Sequence, residues 1–135
     1  MGQSSSTSFL NPRCTLETVS DLTDLIELEI GHLYKTKKIH SATKIFQALR
    51  ITVNDEIGNL QKVLHNGISS LRSGGIISVV TFHSLEDKHV KKIFREYENQ
   101  ELGKRVNKKV IKPGFEEVEK NKRARSAKLR VFKKN

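Results

Sequence analysis

An open α/β sheet is the fold class that three features of this sequence predict. A long stretch of helical periodicity stops at Ser73-Gly74-Gly75. A short β-branched run, Ile76-Ile77-Ser78-Val79-Val80-Thr81-Phe82, follows it, and a second amphipathic helix opens directly afterwards at Ser84. Helix, glycine turn, buried strand, helix is the rhythm of strands joined by helical crossovers, which sets neighbouring strands parallel.

The elements follow in order. Residues 1–14 are Ser-rich and aperiodic and read as a disordered leader. Thr18 opens the first helix with Asp21 as its capping partner three residues on. Val19, Leu22, Leu25 and Ile26 recur at helical spacing, and Gly31 is placed to end the helix. A basic connector, Tyr34-Lys35-Thr36-Lys37-Lys38, comes next. Phe46, Leu49, Val53, Ile57, Leu60, Leu64, Ile68 and Leu71 then form one apolar stripe over 42–72, with Gly58 and Gly67 as places for a bend.

The run 76–82 is nearly all apolar, as in a strand buried on both faces. Ser84 is the expected cap of the next helix, with Asp87 at its third position. Val90, Ile93, Phe94 and Tyr97 give that helix one apolar face. Two further strands are expected at 106–112 and 127–133, separated by Pro113-Gly114 and a short acidic turn.

Composition narrows the class. The length of 135 residues suits one small domain, and with 6% aromatics and no Trp its core must be mostly aliphatic. No apolar run reaches the roughly 20 residues that span a bilayer, and no basic-then-apolar signal pattern opens the chain. The single Cys14 excludes an internal disulfide and suits a reducing cytoplasm. The net charge of +10 is concentrated: residues 104–135 carry 13 basic and 3 acidic side chains, while residues 1–103 balance 12 against 12. Such a segment attracts a polyanion, because neutralised phosphates release counterions. The same charge could serve only as a solvated surface.

Chemistry concentrates after the run 76–82. In open α/β sheets ligands sit beyond the carboxyl ends of the strands, which is where Phe82-His83-Ser84 falls, with Glu86 and Asp87 just beyond. Capping and dipole complementation account for Ser84 and Asp87 equally well. No His/Cys cluster has metal-ligand spacing. Gly74-Gly75 precedes a strand, whereas a nucleotide-cradling loop follows one.

Three blocks carry a family resemblance: residues 40–56, opening His40-Ser41-Ala42-Thr43; residues 71–88, including Val79-Val80-Thr81-Phe82-His83-Ser84-Leu85-Glu86-Asp87-Lys88; and residues 121–130, including Lys122-Arg123-Ala124-Arg125-Ser126. In this order and spacing they resemble the C-terminal part of the S-adenosylmethionine-dependent methyltransferases that act on N4 of a cytidine in bacterial small-subunit ribosomal RNA. Ser41 stands where that family usually has Pro.

The resemblance implies the C-terminal part of a Rossmann-like class I methyltransferase sheet plus the remnant of a helical insertion. Residues 15–40 would end the insertion and 41–135 would belong to the methyltransferase domain. Residues 76–82 would be the fifth strand, with the last two strands as a closing antiparallel hairpin. The family's methyl-donor loop, acidic ribose ligand and catalytic Asp-Leu-Gly segment have no counterpart here. S-adenosylmethionine is therefore expected in the full-length family but not on this chain alone, which would be inactive alone.

His83, Ser84, Glu86, Arg50 and Asn54 would line the pocket edge. Lys122, Arg123, Arg125, Lys128 and Arg130 would grip RNA phosphates. The implied partners are small-subunit ribosomal RNA and a polypeptide supplying the N-terminal half, in the cytoplasm and away from membranes. A sheet with only its late strands should expose apolar surface and unpaired edges. The reading from another class is a non-catalytic RNA-binding module that uses the basic C-terminal segment.

Overall fold

The structure, a computed structural model, describes residues 16–34 and 40–135. The leader expected at 1–14, Cys14 and most of the basic connector lie outside the described residues. The described residues fall into two compact units, one up to Arg50 and one from Ile51 onward, taken here in turn.

In the first unit, α1 (Val19–Ile30) begins where its capping signal places it. Thr18 Oγ1 accepts from the Asp21 amide at 3.1 Å, and the Asp21 carboxylate accepts from the Thr18 and Glu17 amides at 2.8 and 3.1 Å. These bonds favour the ionised carboxylate and hold Asp21 below its ordinary pKa, the Thr18 contacts contributing most. Gly31 ends α1 in a right-handed conformation, φ −54°, so the chain runs on into one 3₁₀ turn, Gly31–Tyr34. α2 (Ser41–Val53) starts directly after His40, whose Nδ1 accepts from the Ala42 amide at 3.2 Å. Ser41 is thus the first helical residue, the position where proline is best tolerated. Serine in place of the family's usual proline leaves the helix start intact.

In the second unit, the stripe expected as one helix is interrupted at Asn54–Asp55, and α3 (Glu56–Ser70) begins afresh. Asp55 adopts a left-handed backbone, φ 45° and ψ 43°, which Asp and Asn tolerate better than most residues. Neither expected glycine makes the bend. A Cβ at Gly58 would lie 2.3 Å from Asp55 Oδ1, so this glycine leaves room for that carboxylate. Gly67 lets α3 press onto the sheet, its ideal Cβ being 3.2 Å from Ile77 Cδ1. In the α2 half of the stripe, Leu49 and Val53 are exposed.

The sheet has three strands, β1 (Ile76–Thr81), β2 (Gly103–Arg105) and β3 (Lys128–Lys134), in the order β1-β3-β2. Both neighbouring pairs are antiparallel, with Val79 opposite Arg130 and Arg105 opposite Phe132. β1 and β2 run the same way and are joined through α4 (Ser84–Asn99), but β3 inserts between them. The expectation of parallel neighbours is corrected accordingly, while the antiparallel pairing of the last two strands stands.

The strand expected at 106–112 is displaced. After Val106, whose amide reaches Val131 O at 2.9 Å, the Asn107 side chain takes over the ladder. It accepts from the Val131 amide at 2.7 Å and donates to Leu129 O at 3.0 Å. Pairing resumes only at Ile111, opposite Leu129. The acidic turn is a short helix, α5 (Phe115–Lys120), followed by a 3₁₀ segment, Lys122–Ser126.

One face of the sheet is covered. Leu64 and Ile68 of α3, Val90, Ile93 and Phe94 of α4, and Phe132 of β3 make the buried cluster, with Leu60, Ile77, Val79 and Tyr97 packed against it. Removing each such side chain from water contributes about 1.5–3 kcal/mol. Phe94 and Phe132 meet with ring centroids 5.2 Å apart. Lys134 ties strand to helix: its Nζ donates to Ser69 O at 2.9 Å and Leu71 O at 2.8 Å, carbonyls left over at the end of α3.

β1 was expected to be buried on both faces, and it is not. Ile77, Val79 and Thr81 point inward, while Ile76 and Val80 are 57% and 53% exposed. Within the second unit, helices cover only one side of the sheet, and alternate apolar side chains of β1 lie on the other.

Candidate nucleic-acid interface

The carboxyl end of β1 passes through Phe82 into α4, and the local backbone is set by His83 rather than Ser84. His83 is extended, φ −133° and ψ 163°, and its Nδ1 accepts from the Glu86 amide at 3.3 Å. Nδ1 is separated from Cβ by one atom, as a carboxamide or carboxylate oxygen is in Asn or Asp. It therefore reaches the same amide as those favoured caps. Glu86 returns the contact, its Oε2 accepting from Phe82 N at 2.9 Å and His83 N at 3.3 Å. The cap expected at Ser84 with Asp87 is thus moved one residue back, to His83 with Glu86.

Asp87 is left for another task. Its carboxylate takes a two-pronged contact from Arg130, Nε to Oδ1 at 2.7 Å and Nη2 to Oδ2 at 3.1 Å. Lys128 Nζ stands 4.0 Å from Oδ2. The hydrogen bonds from Arg130 pull Asp87 below the ordinary carboxylate range, against the opposing effect of burial. Arg130 is only 6% exposed. Arg130 Nε and Nη2 are thus occupied by Asp87, and its buried Nη1 has no partner. Charge counting along the sequence could not reveal this, because the two partners lie 43 positions apart.

The remaining expected residues divide. Lys122, Arg123 and Arg125 are exposed on the 3₁₀ segment, and Lys128 is half-buried. Phe82, His83, Ser84, Lys112, Arg125, Ser126, Ala127 and Lys128 line one open cleft of about 290 Å³ beyond the carboxyl end of β1. His83 and Ser84 of the expected pocket edge therefore sit beside Arg125 and Lys128 of the expected RNA contacts. Asn54 lies in the turn before α3, its carbonyl accepting from Asn59 Nδ2 at 3.1 Å. Arg50 lines a separate hollow on α2 with Thr43, Phe46 and Gln47.

Phe82 and Lys112 were not among the expected site residues. The signal for Phe82 was its place at the strand end. Lys112 had no signal beyond standing before Pro113-Gly114.

Glu56, His83 and Glu86 bring one potential ligand atom each within 4.8 Å of one another. By distance alone they could surround a cation. The capping bond argues otherwise: if His83 Nδ1 accepts the Glu86 amide, the ring proton is on Nε2, which then has no lone pair to offer. That nitrogen is buried and lies 3.2 Å from Glu86 Oε1, close enough for attraction but not aligned for a hydrogen bond.

The cleft does not fit S-adenosylmethionine either. Its lining contains three cationic side chains and no carboxylate, whereas that donor carries a sulfonium cation and a ribose diol. No catalytic step through the donor is derived from these residues. Among the described residues no helix is long and apolar enough to cross a membrane.

Lys112, Arg125 and Lys128 thus stand together beyond the carboxyl end of β1 in an α/β unit. The chain belongs to the MraW methylase family, which it matches over residues 9–135. It is 47% identical over 119 residues to the ribosomal RNA small subunit methyltransferase H of Coprothermobacter proteolyticus, covering 88% of this chain and 39% of that protein. The enzymes of the same name from Elusimicrobium minutum and Chlamydia trachomatis are 45% and 48% identical, again over 88% and 87% of this chain and 40% and 39% of theirs. The match falls in the C-terminal part of these relatives, and the chain spans about two-fifths of their length.

Proposed function

We propose that these residues form the RNA-facing C-terminal part of an S-adenosylmethionine-dependent methyltransferase acting on N4 of a cytidine in small-subunit ribosomal RNA. One observation carries the reading: in a chain matching ribosomal RNA methyltransferases, the strand-end position where α/β proteins bind ligands is lined by Lys112, Arg125 and Lys128. Lys122 and Arg123 extend the same charge outward.

The amine of cytosine is a weak nucleophile because its lone pair is delocalised into the ring. Such an enzyme must hold an unstacked base in a fixed pose. His83, Ser84 and Glu86 would supply a rigid edge for it. The donor, when bound, supplies the methyl group, and this cleft, with three cations and no carboxylate, is not where it would be held.

Two titrations test the reading. A labelled fragment of small-subunit ribosomal RNA should bind with an affinity that falls steeply with salt. Calorimetry with S-adenosylmethionine alone should give no heat of binding. Absence of RNA binding at low salt would overturn the RNA-facing role, and one-to-one donor binding would overturn the placement of the donor elsewhere.

A further inference from the structure

Phe82 is 56% exposed although it directly follows a strand whose inner residues are buried. It forms one wall of the cleft that also presents Lys112, Arg125 and Lys128, together with Ser84 and Ser126. An aromatic face beside cations is the arrangement that binds single-stranded nucleic acid without reading its sequence: the ring stacks a base while the cations hold the backbone.

A base inside a duplex has both faces occupied by its neighbours, so such a wall selects unpaired nucleotides. The cleft, about 290 Å³, lies at the lower end of the range of small-ligand pockets and suits one nucleotide. Lys128 is partly neutralised by Asp87, which leaves Lys112 and Arg125 as the freer charges.

We infer that this cleft seats one unpaired ribonucleotide, its base stacked on the Phe82 ring and its phosphate held between Lys112 and Arg125. The inference rests on the RNA-facing reading above and adds Phe82 and Lys112 as residues with defined tasks. It separates two contributions that charge alone would merge. Stacking depends on the base and is insensitive to salt, whereas the phosphate contacts depend on salt and ignore the base.

The test is fluorescence anisotropy of the full chain with a short labelled single-stranded oligoribonucleotide and with an abasic strand of equal length, each at several salt concentrations. Phe82→Ala should weaken binding of the base-bearing strand by about 5- to 150-fold with an unchanged salt slope, and should leave the abasic strand unaffected. Phe82→Tyr should retain affinity. Phe82→Leu, which keeps apolar bulk, should behave as the alanine variant and so separates stacking from folding. Lys112→Ala and Arg125→Ala should each lower the salt slope by about 0.7 on both strands.

Equal affinity of wild type and Phe82→Ala, or equal binding of base-bearing and abasic strands, would overturn the seat while leaving general RNA binding in place. Failure of the wild type to bind either strand would instead overturn the RNA-facing reading itself.

Discussion

Two helices in this chain open on the same dipeptide, His40-Ser41 before α2 and His83-Ser84 before α4, and their surroundings are opposite. Both histidines accept a backbone amide through Nδ1. The His40 side chain is 51% exposed and pairs with Glu27 at 3.0 Å. That of His83 is 14% exposed and locked into a reciprocal box with Glu86. Ser41 is 3% exposed, with its hydroxyl buried and unpartnered, whereas Ser84 opens on the cationic cleft. Four residues beyond each histidine the contrast repeats: Lys44 lies 6.0 Å over the Tyr34 ring, while Asp87 anchors the buried Arg130. The local capping logic is shared, and what differs is what is tied down: Ser41 and Ala42 at the start of α2, His83 and Asp87 at the start of α4.

The largest test of that contrast is Asp87→Ala. It leaves the Arg130 guanidinium buried without its counter-ion, which costs about 3–5 kcal/mol. Lys44→Ala should change stability by less than about 0.5 kcal/mol, as exposed contacts usually do. Urea unfolding monitored by circular dichroism compares the two. Combining Asp87→Ala with Arg130→Met should recover most of the loss, because no unpaired charge then remains. Equal, small effects at Asp87 and Lys44 would erase the distinction between the two helix starts.

The same carboxylate predicts the acid behaviour. Asp87 has a lowered pKa in the folded state, so its pairing contributes fully above the unfolded value near about 3.9. That contribution is lost as pH falls through the lower folded value, and below it both states are protonated. Glu98 behaves alike, lowered chiefly by its hydrogen bonds from Arg105. The wild type should therefore lose stability between neutral pH and strong acid more steeply than Asp87→Asn. Parallel acid titrations of the two proteins would remove Asp87 from this account.

A smaller effect is expected at the caps. His83→Ala should cost about 1–2 kcal/mol and His40→Ala about 0.5 kcal/mol, the deeper and reciprocal cap being worth more. Asn at position 83 should restore most of the loss, since its side-chain oxygen has the same reach as Nδ1. If Asn fails where His succeeds, with thermal melting as the readout, the imidazole is needed for something other than capping.

What the sequence made legible follows from the range of the forces involved. The Thr18–Asp21 box, the apolar face of α4 and the last strand rest on neighbours within a few positions; the first two stand where pattern placed them, and the strand expected at 127–133 is shifted by one, to 128–134. The cap of α4 was missed by one residue because hydroxyls are commoner caps than imidazoles. The break at Asn54–Asp55 was missed because an aspartate in left-handed conformation leaves no sign in apolar periodicity. The pairing of Arg130 with Asp87 was not legible because it spans 43 positions. The uncovered face of β1 was also unreadable, since apolar alternation does not say how many layers surround a strand.

One of the smaller predicted changes improves the protein. Ser41 occupies the first helical position, buried, with an Oγ that makes no hydrogen bond. Proline there removes the hydroxyl and fixes a backbone angle that the helix already requires, so the unfolded chain loses freedom while the folded one loses nothing. Ser41→Pro should stabilise by about 0.4–1 kcal/mol from the backbone effect. Ser41→Ala isolates the part due to the hydroxyl, and the difference between the two in thermal melting gives the part due to the ring. Ser84→Ala, at the equivalent but exposed position, should stay within about 0.5 kcal/mol of wild type. A loss of stability in Ser41→Pro would show that the amide of residue 41 is needed as a donor, and the two helix starts would then differ in backbone as well as in surroundings.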